Sequence, residues 1–206
     1  MPNVIGDVAG QFKTLMTLIE KMPSNDIILV GDLIDRGPES NKVVEFARTT
    51  PNVKALYGNH EEMMIDYFDQ THQYDEGLWV FQNGGKPTLN SYGYDEEGNP
   101  KVPKEHLDFL RSLPLYIETD KFFISHSFWH SFLSLEAACN PTCAEWSIVW
   151  NRMPPKRRDK FQIAGHNSQF GLKKFDDFAI CIDTSASDIL TGINTDTMEI
   201  FQQPYL

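Results

Sequence analysis

The sequence predicts an α/β fold: a sandwich of two sheets with helices outside it. Residues 2–68 alternate apolar runs of strand length with segments of helical periodicity, a βαβαβα opening of the kind that builds a helix-covered sheet. The last hundred residues supply five more strand candidates, at 116–119, 121–125, 161–164, 178–182 and 198–202. Strands gathered late in a chain point to a second sheet or to an antiparallel extension of the first. The length of 206 residues fits one domain, 1–206, large enough to bury a core without staples.

Pro2 to Ile5 is a short apolar strand candidate, and Gly6 to Gly10 turns the chain. Phe12, Leu15, Leu18, Ile19 and Met22 recur at helical spacing, which predicts an amphipathic helix over 12–22, ended by Pro23-Ser24-Asn25. Ile27-Ile28-Leu29-Val30 is a continuous apolar run, as expected of a strand buried on both faces. A loop follows through Gly31 and Asp35-Arg36-Gly37-Pro38, and Asn41 to Ala47 reads as a helix. Val53 to Tyr57 is a third strand, Gly58-Asn59-His60 a loop, and Glu61 to Phe68 a helix. Residues 71–105, rich in Gly, Asp, Tyr and Pro, read as a capping region of loops and short helices, with one more helix over Leu107 to Leu113. No internal repeat or low-complexity tract interrupts this order.

Hydrophobic residues make up 41% and charged residues 23%, a globular rather than a disordered composition. Lys+Arg is 18 and Asp+Glu is 29, a formal net charge of −11. Such a surface repels a polyanion, which argues against a dedicated nucleic-acid binder, and its carboxylates attract hard cations. There is no apolar run of about 18 residues, so no membrane span is expected. The N-terminus carries neither the basic nor the apolar region of a secretory signal. Cys139, Cys143 and Cys181 show no framework spacing, so they read as ordinary thiols in a reducing, cytoplasmic compartment.

Five polar signatures follow apolar strand candidates, where α/β sheets build their sites. They are Gly6-Asp7-Val8-Ala9-Gly10, Gly31-Asp32-Leu33-Ile34-Asp35-Arg36-Gly37, Gly58-Asn59-His60-Glu61, Ser125-His126-Ser127 and Gly165-His166-Asn167. Asp7, Asp32, Asn59, His126 and His166 form a mixed oxygen–nitrogen set, which suits Mn, Fe or Zn better than calcium. Two adjacent metal ions that share a carboxylate clamp both oxygens of an in-line phosphoryl displacement and acidify a water. Taken singly, Asp7, Asp32 and Asn59 are as readable as helix caps, and His126 and His166 as core histidines.

In this order the blocks resemble the calcineurin-like metallophosphoesterases, specifically their phosphoprotein-phosphatase group. The likeness is greatest to the compact bacteriophage lambda-type Ser/Thr and Tyr protein phosphatases, with the symmetrical diadenosine tetraphosphatases next. It runs from about residue 3 to residue 202 and is strengthened by Trp79 to Gly85, Ile148 to Arg152 and Ile182-Asp183-Thr184. The resemblance implies a four-layer α/β/β/α sandwich of two mixed sheets flanked by helices. It implies a metal-dependent phosphoesterase that hydrolyses phosphomonoesters, phosphoproteins among them, by attack of metal-bound hydroxide. Residue by residue, it implies Asp7 as a ligand of a first metal, Asp32 as the bridge, and Asn59, His126 and His166 completing the second. His60 would be the general acid, oriented by Asp35, and Arg36 and Arg152, with Asn59, would hold the phosphate. The cofactor implied is one or two divalent ions, with Mn favoured and Fe, Zn, Ni and Mg as alternatives. The implied partner is a phosphorylated protein or a nucleotide, with no stable nucleic acid and no membrane, and the chain is expected to be a monomer.

Two positions depart from the family pattern. The first block is ordinarily Gly-Asp-x-His-Gly, and here Ala9 stands at the His position, which implies a weakened first metal site of oxygen ligands that favours Mn or Mg over Zn. Ala9 is readable as a native design, as a disabling substitution, or as the mark of an inactive metal- or phosphate-binding protein. Tyr57 stands where protein phosphatases usually carry Arg, which shifts the expected substrate towards dinucleoside polyphosphates or cyclic nucleotides. Glu61 and Trp150-Asn151-Arg152 pull it back towards phosphoproteins. His72, His106 and His130 match no block and read as surface or packing residues, His130 also as a neighbour of the ligands. Lys156-Arg157-Arg158 reads as a solvated loop or as a basic lure for phosphorylated substrates. Trp79, Phe81, Tyr92 and Tyr94 read as filler of the capping region or as a stacking surface for a substrate ring.

Overall fold

The computed structural model describes residues 2–140 and 145–206; Cys143, expected as an ordinary thiol, lies outside the described residues. The chain runs β1 (Asn3–Ile5), α1 (Phe12–Lys21), β2 (Ile27–Leu29), α2 (Ser40–Thr49), β3 (Val53–Ala55) and α3 (Asn59–Asp69). Three helices follow, α4 (Glu76–Phe81), α5 (Gly85–Tyr92) and α6 (Lys104–Arg111). The remainder is β4 (Tyr116–Glu118), β5 (Phe122–Ser125), α7 (Leu135–Ala138), β6 (Phe161–Ala164), β7 (Lys173–Phe175), β8 (Ala179–Cys181), β9 (Ile189–Asn194) and β10 (Ile200–Pro204).

The strands form two five-stranded mixed sheets, in the orders β10-β9-β1-β2-β3 and β4-β5-β6-β8-β7. Each has three parallel strands: β1-β2-β3 in the first, with antiparallel β9 and β10 on one side, and β5-β6-β8 in the second, with antiparallel β4 and β7 at the two edges. The late strands therefore do both things their position allowed. β4 to β8 make the second sheet, and β9 and β10 return to extend the first.

The pleat sorts the core into layers. Val4, Ile28 and Ile193 of the first sheet pack against Phe122, Ile124, Ile163 and Ile180 of the second. Their neighbours Ile5, Ile27, Leu29 and Leu190 face the other way, onto Leu15 and Leu18 of α1 and Val43, Val44 and Ala47 of α2. The outer face of the second sheet is covered more thinly. Phe123 meets Ala138 of α7 together with Ile148 and Val149, and Ala164, Ala179 and Cys181 meet Phe128. Continuous apolar strands such as 27–30 are thus buried on both faces, as their composition required.

Four boundaries differ from the sequence reading. Asn59 and His60 are the first residues of α3, not a loop before it, and α6 begins at Lys104. β7 and β9 were not expected. β7 is a short flanking strand of Lys173-Lys174-Phe175, and β9 mixes Thr191, Gly192 and Asn194 among its apolar residues, which hides it from a hydropathy scan. β9 is nonetheless nearly all buried, because it is clasped between β1 and β10. No helix among the described residues is long and apolar enough to cross a membrane.

The layer between the sheets should dominate stability. Ile163→Ala, at a fully buried position, is expected to cost about 2–5 kcal/mol in urea unfolding, against less than about 0.5 kcal/mol for Lys54→Ala on exposed surface of β3.

Candidate metal centre

Every parallel strand ends at one place. Past the ends of β1, β2 and β3 stand Asp7, Asp32 and Asn59, and past those of β5, β6 and β8 stand His126, His166 and Asp183. All six are at most 6% exposed. Close approach of the loops requires glycine at two points: a Cβ on Gly58 would lie 2.4 Å from Asp32 Oδ1, and one on Gly165 would lie 1.9 Å from Asp7 Oδ1. Ala9, Asp32, Asp35, Arg36 and His166 all adopt positive φ, between 48° and 73°, so backbone strain is concentrated here.

The second-metal set converges as its chemistry requires. His126 Nδ1 donates to the Val30 carbonyl (2.9 Å) and His166 Nε2 to the Trp150 carbonyl (3.1 Å). A carbonyl only accepts, so each ring is fixed with a lone pair on its other nitrogen. Those lone pairs, His126 Nε2 and His166 Nδ1, both face Asn59 Oδ1, at 2.9 and 2.8 Å, and His126 Nε2 lies 3.3 Å from Asp32 Oδ1. With the amide turned this way, four acceptors meet and no donor lies between them. Ligands about 2.1 Å from one ion and at right angles to each other are about 3.0 Å apart, which is the spacing found. Burial, opposed for His126 by the Asp32 charge, keeps that ring neutral, and burial with the neighbouring His126 pushes His166 down to about 3. Neutral imidazole is the ligand form. The donor set therefore fits a divalent cation held by Asp32, Asn59, His126 and His166.

Asp32 sits under these rings. Burial acts to raise its pKa, but His126, His60 and His166 together bring it down to about 2. Its backbone is held by Glu61, which is fully buried. Glu61 Oε2 accepts the N–H groups of Asp32 (2.8 Å) and Gly58 (3.0 Å), and Oε1 accepts that of Leu33 (2.8 Å). Burial and the Asp32 charge push the Glu61 carboxyl up, and the three N–H groups pull the other way and hold its carboxylate form.

Beside this set lies a histidine–carboxylate pair. His60 Nδ1 is 2.5 Å from Asp35 Oδ2, while His60 Nε2 faces Asp32 Oδ2 at 3.7 Å and Arg36 Nη2 at 3.2 Å. Burial disfavours a charge on His60, but Asp32 and Asp35 outweigh it and raise the ring to about 9. Asp35 is itself fully held: Trp79 Nε1 donates to Oδ2 (2.8 Å), and the Thr88 hydroxyl to Oδ1 (2.7 Å). The Asp35 N–H is bonded to Thr88 Oγ1 and Ser40 Oγ (2.8 and 3.2 Å). The capping helices α4 and α5 thus supply the groups that orient the pair. Arg36 is exposed, and its backbone N–H donates to the Gly84 carbonyl. Arg152 is exposed too, and its charge helps keep His166 neutral.

The Asp7 side is different in kind. Both Asp7 oxygens face the His166 N–H at 3.1 Å. Burial, then the Asp183 and Asp32 charges, push the Asp7 carboxyl well up. Ala9 is buried and presents only a methyl; its N–H donates to the Asp32 carbonyl and its carbonyl accepts from Gly37. The Tyr205 hydroxyl is buried without a hydrogen-bond partner among the described residues, and burial with Asp183 and Asp7 holds the phenol neutral. The sequence reading gave Asp183, Ser40, Thr88 and Tyr205 no role. Asp183 was findable by the same strand-end rule as the others.

Other expected residues lie apart from the centre or serve packing. Trp79 is 1% exposed and Tyr92 is bonded to His106 Nδ1 (2.9 Å), so neither offers a free stacking face. His106 is buried and also bonded to Glu45; His130 stacks on Trp146. Arg157 and Lys160 pair with Asp177 and Glu118, and the Arg158 guanidinium lies 3.3 Å over the Trp129 ring. Tyr57 packs at the edge of the Phe123 core. Cys181 is buried, its Sγ at the Gly165 carbonyl (3.4 Å).

Two mixed sheets whose parallel strands deliver ligand-type side chains to one centre define a metallophosphoesterase scaffold. The sequence profile of the calcineurin-like phosphoesterase family matches residues 3–183, and the chain belongs to that family. It is similar to serine/threonine-protein phosphatase 2 of Escherichia coli (strain K12), 28% identical over 155 residues that cover 71% of this chain and 66% of the relative. It is also similar to the symmetrical bis(5'-nucleosyl)-tetraphosphatase of Vibrio campbellii (strain ATCC BAA-1116), 28% identical over 157 residues, 74% of this chain and 53% of the relative. The match thus spans less than two thirds of either relative. Among solved structures, a cold-active protein-tyrosine phosphatase of Shewanella sp. superposes with a TM-score of 0.67 at 18% identity, covering 99% of this chain and 77% of that one. A metallophosphoesterase from Sphaerobacter thermophilus gives 0.55 at 16% identity, covering 98% and 86%.

The Glu61 staple should show in stability. Glu61→Ala leaves three buried N–H groups unpaired and is expected to cost at least about 3 kcal/mol in urea unfolding. Lys104→Ala, which removes an exposed ion pair with Asp108, should cost less than about 0.5 kcal/mol.

Proposed function

We propose that the chain is a metal-dependent phosphoesterase that hydrolyses phosphomonoesters, phosphoproteins among them. The convergence of Asp32, Asn59, His126 and His166, with the His60–Asp35 pair 3.7 Å from Asp32, carries this reading. Asp7 and Asp32 would hold a second ion on the Ala9 side, where the side-chain donors, Asp183 among them, are oxygens; that favours Mn or Mg there over Zn. Divalent ions in this centre supply positive charge to phosphate oxygens and lower the pKa of water.

The chain's own residues do the rest. Arg36 and Arg152, both exposed, bind phosphate oxygens through planar guanidinium groups, with Asn59 as the third phosphate-binding group. Asp35 holds His60 through Nδ1 and favours its protonated form; once Arg36, whose Nη2 faces Nε2 at 3.2 Å, turns to a phosphate oxygen, Nε2 delivers a proton to the leaving oxygen. Trp79 and Thr88 keep the Asp35 carboxylate from turning away. The scarcity of cysteine and the acidic surface support a cytoplasmic monomer acting on small or peptide phosphates rather than on nucleic acid.

A second reading, hydrolysis of dinucleoside polyphosphates, is supported by Tyr57. It packs into the core where a phosphate-binding Arg is usual, so the mouth has one cation fewer. The tetraphosphatase name of one relative points the same way.

The chain as it stands is expected to hydrolyse p-nitrophenyl phosphate when Mn is added. Activity that appears only in Ala9→His would show that Ala9 disables the centre. Inorganic phosphate from phosphopeptides supports the first substrate reading; nucleoside diphosphates from a dinucleotide support the second.

His60 and His166 should separate chemistry from binding. His60→Asn is expected to lower kcat by about 10²–10⁴ while leaving Mn-induced thermal stabilisation intact. His166→Ala should lose that stabilisation; equal loss in both variants would remove the acid role of His60.

A further inference from the structure

The tautomer of His166 depends on a carbonyl in an irregular segment. Residues 148–150 lie in a turn, and the Trp150 carbonyl there accepts the His166 Nε2 proton. The peptide that carries this carbonyl is held at its other end, where the Asn151 N–H donates to the Ser147 carbonyl (2.9 Å) and to Ser127 Oγ (3.1 Å), and through the Trp150 side chain. Its indole Nε1 donates to Glu62 Oε2, and the same oxygen accepts the Tyr74 hydroxyl at 2.9 Å. The two rings stack, 5.3 Å between centroids and 28° between planes. Tyr74 is held in turn by Asp66, whose carboxylate accepts the N–H groups of Gln73 (2.9 Å) and Tyr74 (3.0 Å) and the Thr71 hydroxyl.

Glu62 lies in the first turn of α3, the helix that begins with Asn59 and His60. One rigid turn therefore carries Asn59, which His166 Nδ1 faces, and the carboxylate that anchors the peptide bonded to His166 Nε2. We propose that Glu62 is a positioning residue for His166, acting through Trp150 and braced by Tyr74. The inference rests on the metal-centre reading above. If the Trp150 carbonyl swings away, the ring proton is free to move to Nδ1. There it blocks the nitrogen that faces Asn59 and competes with a cation.

The test reads the ring directly. Long-range proton–nitrogen spectra of the ion-free, histidine-labelled chain should show His166 protonated at Nε2. Glu62→Ala should give a mixture of tautomers and weaken Mn binding at this site by about 10–100-fold, followed by the resonance signal of free Mn. Glu62→Gln should stay near the parent chain, because its amide oxygen still accepts both bonds. Trp150→Phe keeps the stacked ring and the carbonyl and removes only the indole donor, so it should reproduce Glu62→Ala and decides the matter if that variant fails to fold. Unchanged tautomer and Mn affinity in Trp150→Phe would overturn the proposal, as would a Gln variant as damaged as the Ala variant. A parent chain with His166 protonated at Nδ1 would overturn it outright. A chain that passes these tests but hydrolyses no phosphoester leaves the inference standing and removes the activity.

Discussion

Three backbone N–H groups from two different loops meet the carboxylate of Glu61, and the rest of the centre depends on that meeting. A buried carboxylate is stable only when its oxygens are filled, and here they are filled by main chain. Asp32 and Leu33 come from the loop after β2, and Gly58 from the loop after β3. Joining them sets where α3 begins, and so places Asn59 and His60 over the Asp32 carboxylate, whose Oδ1 accepts the His60 N–H at 3.1 Å. Asp32 takes up its left-handed backbone inside this clasp. The carboxylate that faces the ligands is thus aimed by another carboxylate that never touches them.

Around that clasp the architecture works by repetition. Six parallel strands, three in each sheet, all point the same way across the sandwich, and each releases one polar side chain into a shared space. The first sheet supplies Asp, Asp and Asn, and the second supplies His, His and Asp. The nitrogen donors therefore come from the second layer alone and the oxygen donors from both, so a cation held between them would tie the two sheets together. The capping helices add no ligand. Their contribution is Trp79 and Thr88, which hold Asp35 and through it His60.

Much of this was legible because it is local. A strand buried on both faces declares itself as an apolar run, and a ligand-type side chain one to four residues past its end is read in the same glance; Asp7, Asp32, Asn59, His126 and His166 all stand at such positions. Asp183 does so too; Ile182-Asp183-Thr184 was read as a family match but was given no role in the centre. The orienting groups were not legible, since Asp35 meets Trp79 and Thr88 across 44 and 53 residues, with no periodicity connecting them. Of the capping aromatics, Trp79 and Tyr92 follow the filler reading, Phe81 and Tyr94 are exposed, and the donor role of Trp79 exists only in three dimensions. β9 was hidden because burial there comes from its neighbours on both sides rather than from its own composition.

The placement of β9 sets an order of events during synthesis. β1, which carries Asp7, lies between β2 and β9, so one of its edges stays bare until residues 189–194 have left the ribosome. Asp183, Tyr205 and the β9–β10 hairpin arrive on that same late segment. Local helices form in microseconds, but this pairing joins residues almost two hundred positions apart and has to wait for translation. Until then Asp7 stands without the late residues that surround it in the folded chain. The step that closes the sheet is also the step that brings Asp183 and Tyr205 to the Asp7 side of the centre.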